Sequence, residues 1–230
     1  MNPSRRHFLL GAALLALSPW ASAGALDAIT GKEAVQALRE SLEAGARTAL
    51  SKLGKENGYF ANPKVKIGLP KNFTKADRIL RGLGQGKKVD DLILAMNRAA
   101  EAAAPQAQEL VVDAVKKMTV EDAKTILTGG DDAATAYFRK ATETQLAEKL
   151  LPVVKSVTDK SDLARSYNAL SGKLMKLGGI KSELSTVENY VNEKALDGIY
   201  ALIADEERAL RANPAQYTGS LLGKVFGLLK

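Results

Sequence analysis

The stretch LDAITGKEAVQALRESLEAGARTALSKL, Leu26 to Leu53, decides the fold class. Leu26, Ile29, Val35, Leu38, Leu42, Ala46, Leu50 and Leu53 recur every three or four residues, the interval that lines one face of an α-helix. Gly54 to Gly58 ends that helix. The same interval runs through almost the whole chain, and the alternation expected of strands is nearly absent. An all-α fold follows: a single multi-helix domain of six to nine helices, because no linker rich in Pro, Gly or Ser divides the chain.

The exception is Pro63-Lys64-Val65-Lys66-Ile67-Gly68-Leu69-Pro70. Its two prolines disfavour helix, and Val65, Ile67 and Leu69 fall on one side at a spacing of two. A two-stranded ribbon fits this pattern; a tethered extended arm over residues 63–70 fits it better. Helix resumes after Asn72, read as a cap, and stops in Gly82-Leu83-Gly84-Gln85-Gly86. The next helix carries Val89, Leu92, Ile93, Met96, Ala99, Ala100 and Ala103 and continues past a kink at Pro105 to Met118. Thr119 caps another, with Glu121 and Asp122 in its first turn where the helix dipole favours carboxylates. Gly129-Gly130 ends it, and Asp131-Asp132 opens a long helix reaching Val154, with a second kink expected at Pro152. Helices at about Ser161 to Leu177 and Thr186 to Ala212 follow, then a short apolar segment from Tyr217 to Leu229.

Residues 1–23 read as a cleaved leader. Ser4-Arg5-Arg6-His7-Phe8-Leu9-Leu10 sets paired arginines before an apolar run, Phe8 to Leu17, and Ala21-Ser22-Ala23 supplies a small-x-small cleavage site. The run is too short to span a bilayer. Its arginine pair resembles the twin-arginine type, with a general secretory signal as the alternative. No Cys stands at the cleavage site, so a lipoprotein anchor is not expected. The reading is therefore a periplasmic protein comprising residues 24–230 and not transmembrane after cleavage.

The whole chain has 33 Lys and Arg, 26 Asp and Glu, one His and no Cys. His7 and Trp20 both lie in the leader, so the mature protein would hold no His, Cys or Trp. That excludes a disulfide framework, a thiolate nucleophile, a His-dependent triad and an ordinary zinc site. From Lys32 to Lys88 there are 13 basic and 5 acidic residues, whereas Val89 to Lys230 holds 18 and 20. Export argues against nucleic acid as the partner of this basic end, leaving anionic lipid, an acidic protein, or simply a solvated face.

Gly82-Leu83-Gly84-Gln85-Gly86-Lys87-Lys88 fails the P-loop pattern, having Arg81 where a glycine is required and Lys88 where a Ser or Thr is required. It reads as a helix connection in which Gly84, Gly86, Lys87 and Lys88 offer a candidate anion contact at a helix start. Met96-Asn97-Arg98-Ala99-Ala100-Glu101 puts Asn97 and Glu101 on one helix face with Arg98 adjacent. Amid so many alanines these side chains read first as a buried polar network joining helices, and second as a catalytic or ligand site. Glu101 with Asp131 and Asp132 offers an oxygen-only set for calcium or magnesium, although Asp131-Asp132 is more simply a helix start, and no metal is expected. Tyr137, Phe138, Tyr167, Tyr190 and Tyr200 read as core residues whose hydroxyls need partners, or as the lining of an apolar ligand cavity.

Five segments together are similar to the bacterial domain of unknown function 4197 family. They are Asn62 to Pro70, Met96 to Glu101, Met118-Thr119-Val120-Glu121-Asp122-Ala123, Asp131-Asp132-Ala133-Ala134-Thr135-Ala136-Tyr137-Phe138, and Tyr190-Val191-Asn192-Glu193-Lys194-Ala195-Leu196-Asp197-Gly198. The resemblance covers roughly Leu26 to Phe226 and departs at Gly68, where the family pattern has proline. It implies exported, often lipid-anchored helical proteins, and it brings no activity and no catalytic residue.

A helical body without His or Cys is well supplied for binding and poorly supplied for chemistry. The expectation is a non-enzymatic periplasmic binding or envelope-associated protein, taking a lipid or other apolar ligand, an anionic ligand, or an envelope protein, with no cofactor. An enzyme using carboxylate, Tyr or Lys chemistry around Glu101 and Arg98 is the alternative, and a structural assembly partner is the third. Oligomeric state is left open.

Overall fold

The computed structural model describes residues 32–160, 164–165, 167–168 and 186–213. The leader, the apolar segment at 217–229 and most of the helix expected at 161–177 lie outside the described residues. Seven α-helices and two short 3-10 turns make up the secondary structure of the described residues, with no strand among them. They are α1 (Lys32–Leu53), α2 (Thr74–Gly82), α3 (Gly86–Ala103), α4 (Gln108–Lys117), α5 (Val120–Thr128), α6 (Ala133–Thr158) and α7 (Val187–Ala212), with 3-10 turns at Lys71–Phe73 and Ala104–Ala107. The all-α expectation holds.

The stripe on α1 is the buried face: Val35, Leu38, Leu42, Ala46, Leu50 and Leu53 all enter the core. α7 is the central helix, packing against α6, α1 and α3. Apolar residues such as Val191, Ala195, Ile199, Leu202 and Ile203 cover much of its circumference, as a helix enclosed on several sides requires. On α3 the small side chains of Ala99, Ala100 and Ala103 are fully buried, which lets its backbone approach its neighbours closely.

Local punctuation acts largely where the residues place it. Pro105 converts the expected kink into the 3-10 turn Ala104–Ala107, because its missing N–H is tolerated in a first turn. α6 continues as one helix through Pro152. Thr119 caps α5 in a full capping box with Asp122. Gly84, at φ +75°, is the left-handed residue that closes α2: its N–H donates to Arg81 O at 3.1 Å, and Gln85 N–H donates to Leu80 O at 2.8 Å.

One expected cap is corrected, and one expected helix start is capped from elsewhere. The residue preceding α2 is Phe73 rather than Asn72, which falls within the preceding 3-10 turn, and no side chain caps that helix. Asp132 precedes α6 but makes no capping bond. A carboxylate from another helix has displaced it: Glu207 on α7 accepts Ala134 N–H at 2.9 Å and both Thr135 N–H and its hydroxyl at 2.8 Å. Arg211 then binds Glu207 at 2.8 Å, so the buried charge is paired as well as hydrogen-bonded.

Between α1 and the 3-10 turn at Lys71–Phe73 the chain forms no helix or strand, and Val65 and Ile67 turn inward while Lys64, Lys66 and Gly68 face out. It is a tethered arm and not a ribbon, but residues 63–65 lie in a turn, with the Val65 and Lys66 N–H groups donating to Asn62 O at 3.2 and 2.9 Å, so the extension expected over 63–70 is confined to 66–70.

Candidate functional site

An irregular segment lying on a core must find partners for backbone groups that no helix satisfies. Asn97 and Glu101, the two positions singled out on α3, supply them. Asn97 Oδ1 accepts Ile67 N–H at 2.8 Å, while its Nδ2 donates to Ile67 O at 2.8 Å and to Ile93 O at 2.7 Å. Glu101 Oε1 accepts the N–H groups of Tyr59 and Phe60, each at 3.1 Å, and its Oε2 pairs with Arg98. Arg98 reaches on to Glu56 at 3.1 Å and to Asn57 Oδ1 at 3.0 Å, Asn57 being in the left-handed region at φ 69°. Asn97 thus ties α3 to the arm, and Glu101 with Arg98 ties it to residues 56–60 after α1, rather than one helix to another.

Tyr59 and Tyr190 complete the attachment. The Tyr59 ring is fully buried, its hydroxyl donates to Ala195 O at 2.7 Å, and burial pushes its pKa far above the ordinary phenol value. Gly198 on α7 makes room for that ring, since a Cβ there would sit 2.5 Å from Tyr59 Cε1. Tyr190 donates to Gly68 O at 3.0 Å. Periodicity marks neither Tyr59 nor Gly198; Gly198 closes the last of the five family-like segments, and an aromatic pair, Tyr59-Phe60, in an otherwise polar stretch is the signal for Tyr59.

Between the pinned arm and α7 lies a cleft of about 290 Å³. Lys64, Lys66 and Lys194 line it with one carboxylate, Asp197, and with Tyr190. Lys194 Nζ is 2.9 Å from Asp197, and that hydrogen bond holds its pKa above the ordinary lysine value. Lys64 pairs with Asp205 outside the cleft, and the Lys66 ammonium lies 4.2 Å from the centre of the Phe60 ring. Burial raises the Tyr190 pKa. The Tyr190 proton is taken by Gly68 O, so the side chains through which the cleft meets an anion are Lys64, Lys66 and Lys194.

The remaining expected site residues stand elsewhere. Asp131 and Asp132 are exposed ahead of α6, where their charges act on Arg208. Among the described residues no three His, Cys, Asp or Glu side chains group as a metal site, so Glu101, Asp131 and Asp132 do not form the oxygen set considered for calcium or magnesium. Gly84 N–H is occupied by the turn that closes α2, Lys87 pairs with Asp91 at 2.8 Å, Gly86 is the first residue of α3, and Lys88 is exposed. Phe138, Tyr167, Tyr190 and Tyr200 are buried core residues, and the hydroxyls of Tyr137 and Tyr200 meet Ala114 O at 3.0 Å and Thr142 Oγ1 at 2.9 Å. Among the described residues no helix is long and apolar enough to cross a membrane.

An all-α single domain with an arm clamped across two of its helices is the class of protein defined here. The family model described as "Protein of unknown function (DUF4197)" matches residues 28–227, and the chain belongs to that family. No curated protein and no solved structure matches it.

Proposed function

We propose that this protein is an exported binding protein, not an enzyme, and that it takes a small anionic ligand in the cleft between the arm and α7. The observation that carries this reading is the convergence of Lys64, Lys66 and Lys194 on a cleft of about 290 Å³, whose arm wall is fixed by Asn97. That volume is near the lower end of the roughly 300–1,000 Å³ typical of ligand pockets, which suits a small polyanion. The alternative enzyme reading centred on Glu101 and Arg98 loses support, because both Glu101 oxygens are occupied and its side chain is buried. A carboxylate that already accepts from two backbone N–H groups and a guanidinium is occupied in holding the fold. Export rests on the leader, Ser4 to Ala23.

Titration with inorganic phosphate and with succinate at low salt, followed by amide NMR, tests the cleft. The expected result is a shift at Gly68, Lys194 and Gly198 that weakens in Lys66→Gln and Lys194→Gln; no shift with either dianion at millimolar concentration overturns it. Cell fractionation tests export: Arg5→Lys with Arg6→Lys should hold the full chain in the cytoplasm, and an unprocessed wild-type chain found there defeats that half of the reading.

A further inference from the structure

The α2 helix and the turn after it form a second surface, independent of the cleft. Phe73 at its base is buried and stacks on Tyr167, with ring centres 4.3 Å apart. On its outer side Ile79 and Leu83, one helical turn apart, are 62 % and 69 % exposed. They are two of the three large apolar side chains so exposed among the described residues. Gly82 and Gly84 flank Leu83, and a Cβ at either would meet nothing within 4 Å, so the turn is an open projection.

Cations outnumber carboxylates around this tip. Between Lys71 and Lys88 there are six cations and one carboxylate, Asp77. Asp77 and Asp90 hold Arg81 at 2.7 Å, and Asp91 holds Lys87. Lys71, Arg78 and Lys88 are exposed and pair with no carboxylate among the described residues. Two exposed apolar side chains, with exposed unpaired cations nearby in the chain, offer far less than the roughly 800 Å² a side of a specific protein interface. They do match a surface whose interior is apolar and whose outer layer is anionic, where an amphipathic helix sinks its apolar face and leaves Lys and Arg among the head groups.

We propose that the α2 tip docks on an anionic lipid surface, with Ile79 and Leu83 inserting and Lys71, Arg78 and Lys88 contacting head groups. So small a footprint gives reversible association that weakens with salt.

The test is flotation of the full mature chain with phosphatidylcholine vesicles and with vesicles containing about one-third phosphatidylglycerol, at low and high salt. Binding to the anionic vesicles alone is expected. It should be lost in Ile79→Ser/Leu83→Ser, weakened about fivefold for each of Arg78→Gln and Lys88→Gln, and lost again at high salt. Because the four side chains are exposed, thermal unfolding of the variants should match wild type, which separates lost docking from lost fold. Three results overturn the proposal: no vesicle binding by wild type at low salt, binding unchanged in the Ser pair, or a dimer that the Ser pair dissociates, since a second copy would then occupy the face.

Discussion

The side-chain amide of Asn97 pairs with both backbone groups of Ile67, accepting its N–H and donating to its carbonyl, each at 2.8 Å. The amide behaves as a single residue of a neighbouring strand, and so holds an extended segment against a helix without a sheet. Replacing Asn97 by Ala leaves both Ile67 groups buried and unpaired. The expected loss is about 2–3 kcal/mol in urea unfolding, with faster hydrogen exchange at the Ile67 amide. Unchanged exchange there would mean that the arm is held by its apolar contacts alone.

Glu101 does for Tyr59 and Phe60 what Asn97 does for Ile67, but with a charge. Glu101→Ala strands the buried Tyr59 N–H and the part-buried Phe60 N–H and leaves Arg98 with Glu56 and Asn57. A cost of about 3 kcal/mol is expected, the low end for breaking a buried pair, because the Arg98 side chain is 31 % exposed and can rehydrate. Glu101→Gln keeps one oxygen for the two N–H groups and should lose less, as chemical denaturation of the pair will register.

Gly198 and Tyr59 are coupled through space. An alanine at 198 puts a Cβ 2.5 Å from a ring whose hydroxyl is tethered to Ala195 O, so the ring cannot simply swing aside. Gly198→Ala should cost about 1–3 kcal/mol, the usual range for overpacking, despite the gain in helix propensity. In a Tyr59→Leu background the same substitution should cost measurably less, which a double-mutant cycle resolves.

The cap that Glu207 lends to α6 predicts a long-range effect on a helix start. Glu207→Ala should destabilise the protein by about 3 kcal/mol and raise exchange at the Ala134 and Thr135 amides, 73 and 72 residues away in the chain. Substituting Asp132 by Asn should leave both measurements near wild type, because Asp132 makes no capping bond.

Acid should act on the start of α5. The Thr119 N–H, and then its hydroxyl, hold the Asp122 carboxyl below its ordinary value. A folded pKa below the unfolded value of about 3.9 means that the stabilisation is complete above that pH and is lost as pH falls through the folded value. Asp122→Asn should remove this contribution to the acid limb of a stability-against-pH curve. Thr119→Ala should cost about 1 kcal/mol at neutral pH by thermal unfolding.

The periodic features of this chain were legible because they are local. The stripe from Val35 to Leu53, the stop at Gly82 to Gly86, the Thr119 cap and the arm between Pro63 and Pro70 each follow from the conformational preferences of a few adjacent residues. Asn97 and Glu101 were recognisable as a pair on one helix face, yet their partners were not, since Ile67 is 30 residues from Asn97 in the chain. Asn72 looked like a cap and does not act as one, and Asp132, at the helix start that Asp131-Asp132 marked, supplies no capping bond. A capping bond needs an oxygen placed at an open helix end, and at α6 a more distant carboxylate occupies that place.

The sequence by itself thus determined the helices, their punctuation and the excess of cations near the first third of the chain. Only the tertiary structure decided which polar groups meet, that Lys64 and Lys66 face Lys194 across a cleft, and that Ile79 and Leu83 remain outside the core. The reason is physical: a helix forms from contacts three and four residues apart, whereas a hydrogen-bond partner or a shared cleft exists only where packing brings separate segments together.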